Sequence, residues 1–257
     1  MLEKEHEIAT LAARSAGGLL KKKFGNVQHI DKKGEIDLVT EADIAAEKII
    51  LKMLRDHFPK DNILAEEAGA QDLSSDRTWV VDPLDGTTNF AHGFPFFGVS
   101  IGLEIEKEMV LGIVYNPVMD EFFEARKGEG AFLNHKPIHV SNALSLKESL
   151  LVTGFPYDIG KRSNRIFERF RTMVLASQGV RRGGSAAIDM CYVASGRLDG
   201  FWEEDLKPWD TAAGAVIVLE AGGRLSNCDG QAFTPYRRSL VACAPMIYEE
   251  MVTALKD

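Results

Sequence analysis

Polar and apolar positions first repeat with a helical period. Over residues 3–24, Ile8, Leu11, Ala12, Ser15 and Leu19 recur every three or four residues, which predicts an amphipathic helix with Gly25 as its stop. A second helix is expected after Thr40. Asp43 stands three residues on in a capping-box pattern, Ala46, Ile49, Ile50, Met53 and Leu54 share a face, and Phe58-Pro59 marks the end. Short apolar runs follow at Ile63–Ala65 and Trp79–Val81, each stopping at acidic residues, so two strands are expected to carry carboxylates at their ends. From Gly98 to Val140, the runs Val99–Leu103, Met109–Tyr115 and Glu121–Ala125 are separated by turn residues and predict antiparallel hairpins. Further on, strands are expected at Leu150–Thr153 and Leu198–Trp202, with helices over Asn164–Ser177, Ser185–Ser195, about 210–221 and 245–255. The fold class is mixed α and β: antiparallel sheet first, βα units second. A change of pattern near residue 145 divides the chain into an α+β half, 1–145, and an α/β half, 146–257.

Composition narrows the function classes. With 257 residues, 45% hydrophobic and 26% charged, the chain can bury a sizeable core. Its formal net charge of -8 argues against a direct partner made of nucleic-acid phosphate. Nothing approaches the run of about 18 apolar residues that a membrane span needs, and Met1–Glu5 lacks a signal-like pattern, so a cytoplasmic location away from membranes is expected. Cys191, Cys228 and Cys243 are odd in number, without C-x-x-C spacing, and read as buried free thiols.

The chemistry concentrates in Trp79-Val80-Val81-Asp82-Pro83-Leu84-Asp85-Gly86-Thr87-Thr88. An apolar strand runs into Asp82, Pro83 is expected to end its ladder, and Asp85 follows, so two carboxylates and the Leu84 carbonyl can converge. Gly86 permits close backbone approach, and a helix opening at Thr87 would offer N–H groups to a phosphate. Glu66-Glu67 ends the preceding strand and Asp210 opens a later helix. Such carboxylates repel one another unless cations sit among them, and hard divalent cations prefer oxygen ligands. Phosphate-monoester hydrolysis, whose enzymatic acceleration reaches about 10²¹-fold, needs more than one general base, and two metals would supply it.

These residues resemble the inositol monophosphatase family. Asp82-Pro83-Leu84-Asp85-Gly86-Thr87-Thr88 is similar to its first signature, and Trp209-Asp210-Thr211-Ala212-Ala213-Gly214, continuing to Glu220-Ala221-Gly222-Gly223, to its second. Asp37-Leu38-Val39-Thr40-Glu41-Ala42-Asp43, Glu66-Glu67 and Gly184-Ser185-Ala186-Ala187 match in order, so the resemblance spans essentially the whole chain. It implies a layered α-β-α-β-α sandwich, a homodimer, and magnesium-dependent hydrolysis of a small polyol or sugar phosphate, foremost myo-inositol 1-phosphate. It implies two to three Mg2+ ions: Glu66, Asp82 and the Leu84 carbonyl at the first, Asp82, Asp85 and Asp210 at the second, and a looser third near Glu66. The attacking water would be oriented by Glu66 and the Thr87 hydroxyl, with Asp43 bonded to that threonine. Gly86 and Thr87 N–H groups would hold the phosphate. Asp85, Glu203 and the Gly184-Ser185-Ala186 turn would meet the polyol, beside Asp210.

Plainer roles exist for several of these positions. Asp43 serves a capping box, Asp210 can cap a helix beside Pro208, and Gly184-Ser185 suffices as a turn and N-cap. Strand alternation sends Glu203 and Glu204 to opposite faces, and alignment from Asp210 favours Glu203 as the contact. Lys32 and Lys33 beside Gly34 could reach over the phosphate or be a solvated turn. His92 reads as a packing or surface residue. Relatives handle fructose 1,6-bisphosphate, histidinol phosphate or adenosine 3',5'-bisphosphate, and Arg181-Arg182 or Lys161-Arg162 could bind a second phosphate. The resemblance to bacterial members also implies a possible transcription-factor partner.

Overall fold

Helix α1 (Glu3–Lys23) is the first element, and the face it buries keeps Ile8 and Ala12 of the expected one but is rotated away from Leu11 and Ser15. Ile8, Ala9, Ala12, Ala13, Ala16, Gly17 and Leu20 are buried, whereas Leu11 is 47% exposed. The reason is distance: a Cβ on Gly17 would stand 2.6 Å from the Tyr115 ring, so the sheet below admits only the helix's small residues. A computed structural model describes residues 2–25, 30–32 and 38–256, without the side chains of residues 30–32, 38, 39, 161 and 162. Lys33, Gly34, Asp37 and the Lys32 side chain therefore lie outside the described residues, as do the side chains of Lys161 and Arg162.

Strands β1 (Ile30–Lys32) and β2 (Leu38–Thr40) pair antiparallel and lead into α2 (Glu41–His57). The capping box forms as expected: Ala42 N donates to Thr40 Oγ1 at 3.1 Å and Thr40 N to Asp43 Oδ2 at 2.8 Å. Eight strands then make the first sheet: β3 (Asn62–Ala65), β4 (Gly69–Gln71), β5 (Arg77–Asp85), β6 (Gly98–Ile105), β7 (Glu108–Asn116), β8 (Glu121–Arg126), β9 (Gly130–Leu133) and β10 (Lys136–Ile138). Their order is β10-β9-β8-β7-β6-β5-β3-β4, with a parallel β3–β5 pair in an otherwise antiparallel sheet. The short α3 (Thr87–Ala91) follows β5.

The second sheet contains β11 (Leu150–Thr153), β12 (Gly179–Arg182), β13 (Gly200–Glu204), β14 (Arg224–Ser226) and β15 (Ser239–Cys243) in the order β12-β11-β13-β15-β14. β11 pairs parallel with β12 and β13, and β15 antiparallel with β13 and β14. The sequence reading lacked β12, β14 and β15, and placed β13 two residues early. Between the strands lie α4 (Ile159–Ala176), α5 (Ala186–Ala194), α6 (Pro208–Glu220) and, last, α7 (Tyr248–Leu255).

Side-chain parity sorts these elements into five layers. Trp79, Val81, Ile101, Leu103, Leu111 and Ile113 pack beneath α1 and α2. From the other face of that sheet, Val114, Phe123 and Ala125 meet α5 and α6, which also cover Val152, Phe201, Leu240 and Ala242 of the second sheet. The alternate residues Leu151, Trp202, Val241 and Cys243 face α7 and Met173 of α4. The result is an α-β-α-β-α sandwich whose middle layer is shared by both sheets. All three cysteines are free and buried. No helix among the described residues is long and apolar enough to cross a membrane.

Polar ties fix the outer helix. Arg77 joins Glu5 at 2.8 Å and Asp61 at 3.1 Å, and Trp79 Nε1 donates to Asp61 at 3.0 Å. Glu124 of β8 receives His6 of α1 at 2.6 Å and His135 at 3.1 Å. Burial pushes the Glu124 carboxyl up, but the hydrogen bond and charge of His6, with His135 behind them, outweigh it and hold the group below its ordinary 4.5. A depressed folded pKa stabilises the protein above the unfolded value and loses that contribution as pH falls through the folded one. Thermal melts of wild type and Glu124→Gln should therefore differ at pH 5 to 6 and converge toward about pH 3.

Candidate active site

The Asp82–Thr87 segment is built by an interruption in β5. Its ladder with β6 runs to Asp82↔Ser100, skips Pro83 and Leu84, and resumes at Asp85↔Gly98. The ladder thus bulges at Pro83 rather than ending there, because a residue without an N–H can be left out of pairing at no cost in hydrogen bonds. The bulge brings Asp82, Leu84 and Asp85 to the lining of one cavity, and Leu84 N donates back to Asp82 Oδ1 at 2.9 Å. Gly86 follows with φ +93, as the N-cap of α3. A Cβ there would come within 3.1 Å of Phe96 O and 3.2 Å of Gly184 O, so glycine lets the two halves of the site meet.

Thr87 is buried, with its Oγ1 3.0 Å from both Asp43 Oδ1 and the Leu84 carbonyl. Asp43 therefore has two tasks: Oδ2 caps α2 and Oδ1 accepts from Thr87. It is fully buried and acts on the cavity only through that threonine. Burial raises the Asp43 pKa, while the bonds from Thr40 and Thr87 pull it down.

The cavity has a volume of about 490 Å³ and lies where β3, β5 and β13 end and α5 and α6 begin. Glu66, Asp82, Leu84, Asp85, Gly86, Thr87, Gly184, Ala186, Glu203 and Asp210 all line it. Glu67 does not; its N–H is anchored to Glu47 at 2.9 Å. Ser185 is 1% exposed and off the lining, and its hydroxyl donates to Asp85 Oδ2 at 2.6 Å, joined by Ala187 N at 2.7 Å. The serine thus holds Asp85 against the α5 N-terminus, a favourable seat for a carboxylate. Asp210 is likewise bonded by Lys207 N at 2.7 Å. His92 is exposed, outside the lining. The sequence reading missed the β11–α4 loop, whose Gly154, Phe155, Pro156, Tyr157 and Asp158 form one wall; its signal was the Gly-x-Pro turn directly after a strand. Arg182 lines the cavity and Arg181 does not.

Electrostatics show what the cavity is suited to hold. Burial, then Glu66, Asp85 and Asp210, push Asp82 well above the carboxylate range. Burial and Asp85 do the same to Asp210, against the Lys207 N–H. Burial raises Asp85 to about 6, against the bonds from Ser185, Ala187 and Ala186. Glu203 rises to about 8 through burial, with Arg182 opposing and Asp85 adding to the shift. Among the described residues no three His, Cys, Asp or Glu stand close enough together to hold a metal ion by themselves; the acidic residues line the cavity separately. An all-oxygen donor set under mutual repulsion fits divalent cations of the magnesium type, which take few protein ligands each and keep their waters.

The whole chain is similar to known proteins. A match to the inositol monophosphatase family runs over residues 1–257. The chain is 48% identical over 251 residues to an inositol-1-monophosphatase of Synechocystis sp., covering 97% of this chain and 88% of that protein. It is 40% identical to the Nus factor SuhB of Haemophilus influenzae, covering 97% and 94%. The crystal structure of the extragenic suppressor protein suhB from Bartonella henselae superimposes with a TM-score of 0.95, at 40% identity and 99% coverage of both chains.

Proposed function

The chain belongs to the inositol monophosphatase family and is a phosphoric monoester hydrolase, and from that premise we propose that it converts myo-inositol 1-phosphate and water to myo-inositol and phosphate with magnesium bound among Glu66, Asp82, Asp85 and Asp210. The observation that supports this reading is that those four acidic residues and Leu84 line one cavity beside the Thr87–Asp43 pair. Two to three bound magnesium ions would supply the positive charge that activates a water and neutralises phosphate and leaving oxygen.

The chain's own residues do the rest. Thr87 donates its only hydroxyl proton toward Asp43 or Leu84 O, which leaves its lone pairs free to accept from a water and fixes that water's orientation. Glu66, across the cavity, accepts the water's other proton. The Gly86 and Thr87 N–H groups, at the start of α3, hold the phosphate oxygens. Asp85, Glu203 and the Gly184-Ala186 wall contact the ring hydroxyls, with Ser185 acting through Asp85. Thr87→Val, which keeps the shape and removes the hydroxyl, should lower kcat by at least about 10²-fold with an unchanged fold by circular dichroism.

The far end of the cavity favours a monophosphate. It carries Asp158 and Glu203 against Arg182 and Lys207, while Glu204 and Asp205 are already paired with Arg169 and Arg238, so a second phosphate would meet no surplus of positive charge. The test is phosphate release from inositol 1-phosphate and fructose 1,6-bisphosphate across a magnesium titration with a chelated zero point. Magnesium-dependent turnover of the first, well above the second, is expected; no release from inositol 1-phosphate would overturn the substrate. Similarity to a Nus factor supports a second, transcription-associated role beside catalysis, with a transcription factor as partner; a homodimer is what the family resemblance implies. Affinity capture from extract should recover such a partner, and its absence with and without magnesium would count against that role.

A further inference from the structure

Glu203 and Glu204 are chemically identical neighbours, and both line the cavity. Something must decide which one is presented to the substrate. We propose that Gly154 and Arg169 are the positioning residues that commit Glu203, and not Glu204, to the substrate's hydroxyl groups; the inference rests on the reading that a polyol phosphate occupies this cavity.

Parity is the first part of the argument. Phe201 faces the α5–α6 layer and Trp202 the α7 layer, so Glu203 continues the first face of β13 and Glu204 the second. At the end of the strand these faces are no longer enforced by apolar packing, because the last two residues are polar. A shift of one residue would exchange the two carboxylates. Arg169 of α4 opposes that exchange: its Nη1 donates to Glu204 Oε1 at 2.7 Å, with side chains only 5% and 15% exposed. An ion pair so enclosed fixes geometry strongly, because breaking it leaves a buried charge. Glu204 is therefore held toward α4.

Gly154 is the second part. Thr153 stands opposite Trp202 in the parallel β11–β13 ladder, and Thr153 Oγ1 donates to Trp202 O at 2.7 Å. The next residues, Gly154 and Glu203, are therefore neighbours on the same face. A Cβ on Gly154 would fall within the Glu203 carboxylate, and the three atoms nearest to it all belong to that carboxylate. The absence of a side chain at 154 thus makes the seat in which Glu203 lies. Gly154 is not in the left-handed region, so alanine is compatible with the backbone. The obstacle is the end of a flexible side chain, so Glu203 must move and the fold need not.

The experiment compares kcat/KM for inositol 1-phosphate, which offers ring hydroxyls, with that for p-nitrophenyl phosphate, which offers none. The ratio of the two should fall at least about tenfold in Gly154→Ala, mainly through KM, as expected for losing a hydrogen bond to a charged group. Arg169→Met should lower the same ratio and Arg169→Lys should restore part of it. If Arg169→Met does not fold, the Gly154 arm decides. Gly154→Ala combined with Glu203→Gln should be no worse than Glu203→Gln alone, because the methyl acts only through that carboxylate. An unchanged ratio in Gly154→Ala, or effects that multiply in the double variant, would overturn the inference while leaving the phosphatase reading intact. A wild-type enzyme that releases phosphate from the aryl ester but not from inositol 1-phosphate would instead overturn the substrate reading, and this inference with it.

Discussion

Asp82→Asn should reduce magnesium-dependent turnover by at least about 10³-fold while leaving the metal-free protein as stable as wild type or more so. Asp82 is 2% exposed at the end of β5, with Glu66, Asp85 and Asp210 as its electrostatic neighbours. Asparagine keeps the size and an oxygen for the Leu84 N–H, and removes one of the mutually repelling charges. Without metal that is a relief; with metal it removes the carboxylate that the proposed site shares between its two ions. Thermal melts give an independent readout. Magnesium should raise the wild-type melting temperature by mass action and raise that of the variant much less. A variant still active and still magnesium-dependent would sink the two-metal assignment.

Gly112→Ala should be as damaging from a position on β7 outside the cavity lining. Gly102 and Gly112 face each other across β6 and β7, and their bare backbone is the floor on which α6 rests. A Cβ on Gly112 would run into the Ala213 carbonyl oxygen and stand 3.0 Å from its carbonyl carbon and 3.1 Å from its Cα. On Gly102 it would stand 3.2 Å from both Ala212 Cβ and Ala213 N. Since the obstacle at 112 is helix backbone, no rotamer change relieves it; α6 must lift. Overpacking of this kind costs typically 1 to 3 kcal/mol, and about 3 is expected here, a melting-temperature loss of roughly 6 to 12 °C. Because the first turn of α6 carries Asp210, kcat should fall as well, by about 10²-fold if this proposed metal ligand moves by around 1 Å. Wild-type stability in Gly112→Ala would show that this contact does not seat the helix.

How far the sequence disclosed the site depended on whether a residue's role was local. Asp82, Leu84, Asp85 and Thr87 stand in one segment whose strand, proline and glycine announce a turn, and the structure does bring them to one cavity with Glu66 and Asp210. Ser185 was legible as an N-cap but not as the donor to Asp85, a partner 100 residues away. The wall at 154–158 carried only a turn signal. The buried face of α1 was read in part: Ile8 and Ala12 are buried and Leu19 packs on the core, but Leu11 is exposed because close approach to Tyr115 selects the neighbouring alanine and glycine stripe. Strand β12 ends in exposed Arg181 and Arg182, and β14 has three residues, so neither shows the alternation that betrays a strand. Helix α4 starts at Ile159 rather than Asn164 because its first turns are polar and have no apolar period to read.

The most direct measurement of the central claim is anomalous diffraction from crystals soaked in Mn2+ with inorganic phosphate. The account predicts at least two peaks in the cavity, roughly 3.5 to 4 Å apart, with Asp82 shared between them and phosphate seated beside Gly86 and Thr87. A cavity holding phosphate but no metal, or metal bound away from Asp82, would contradict it.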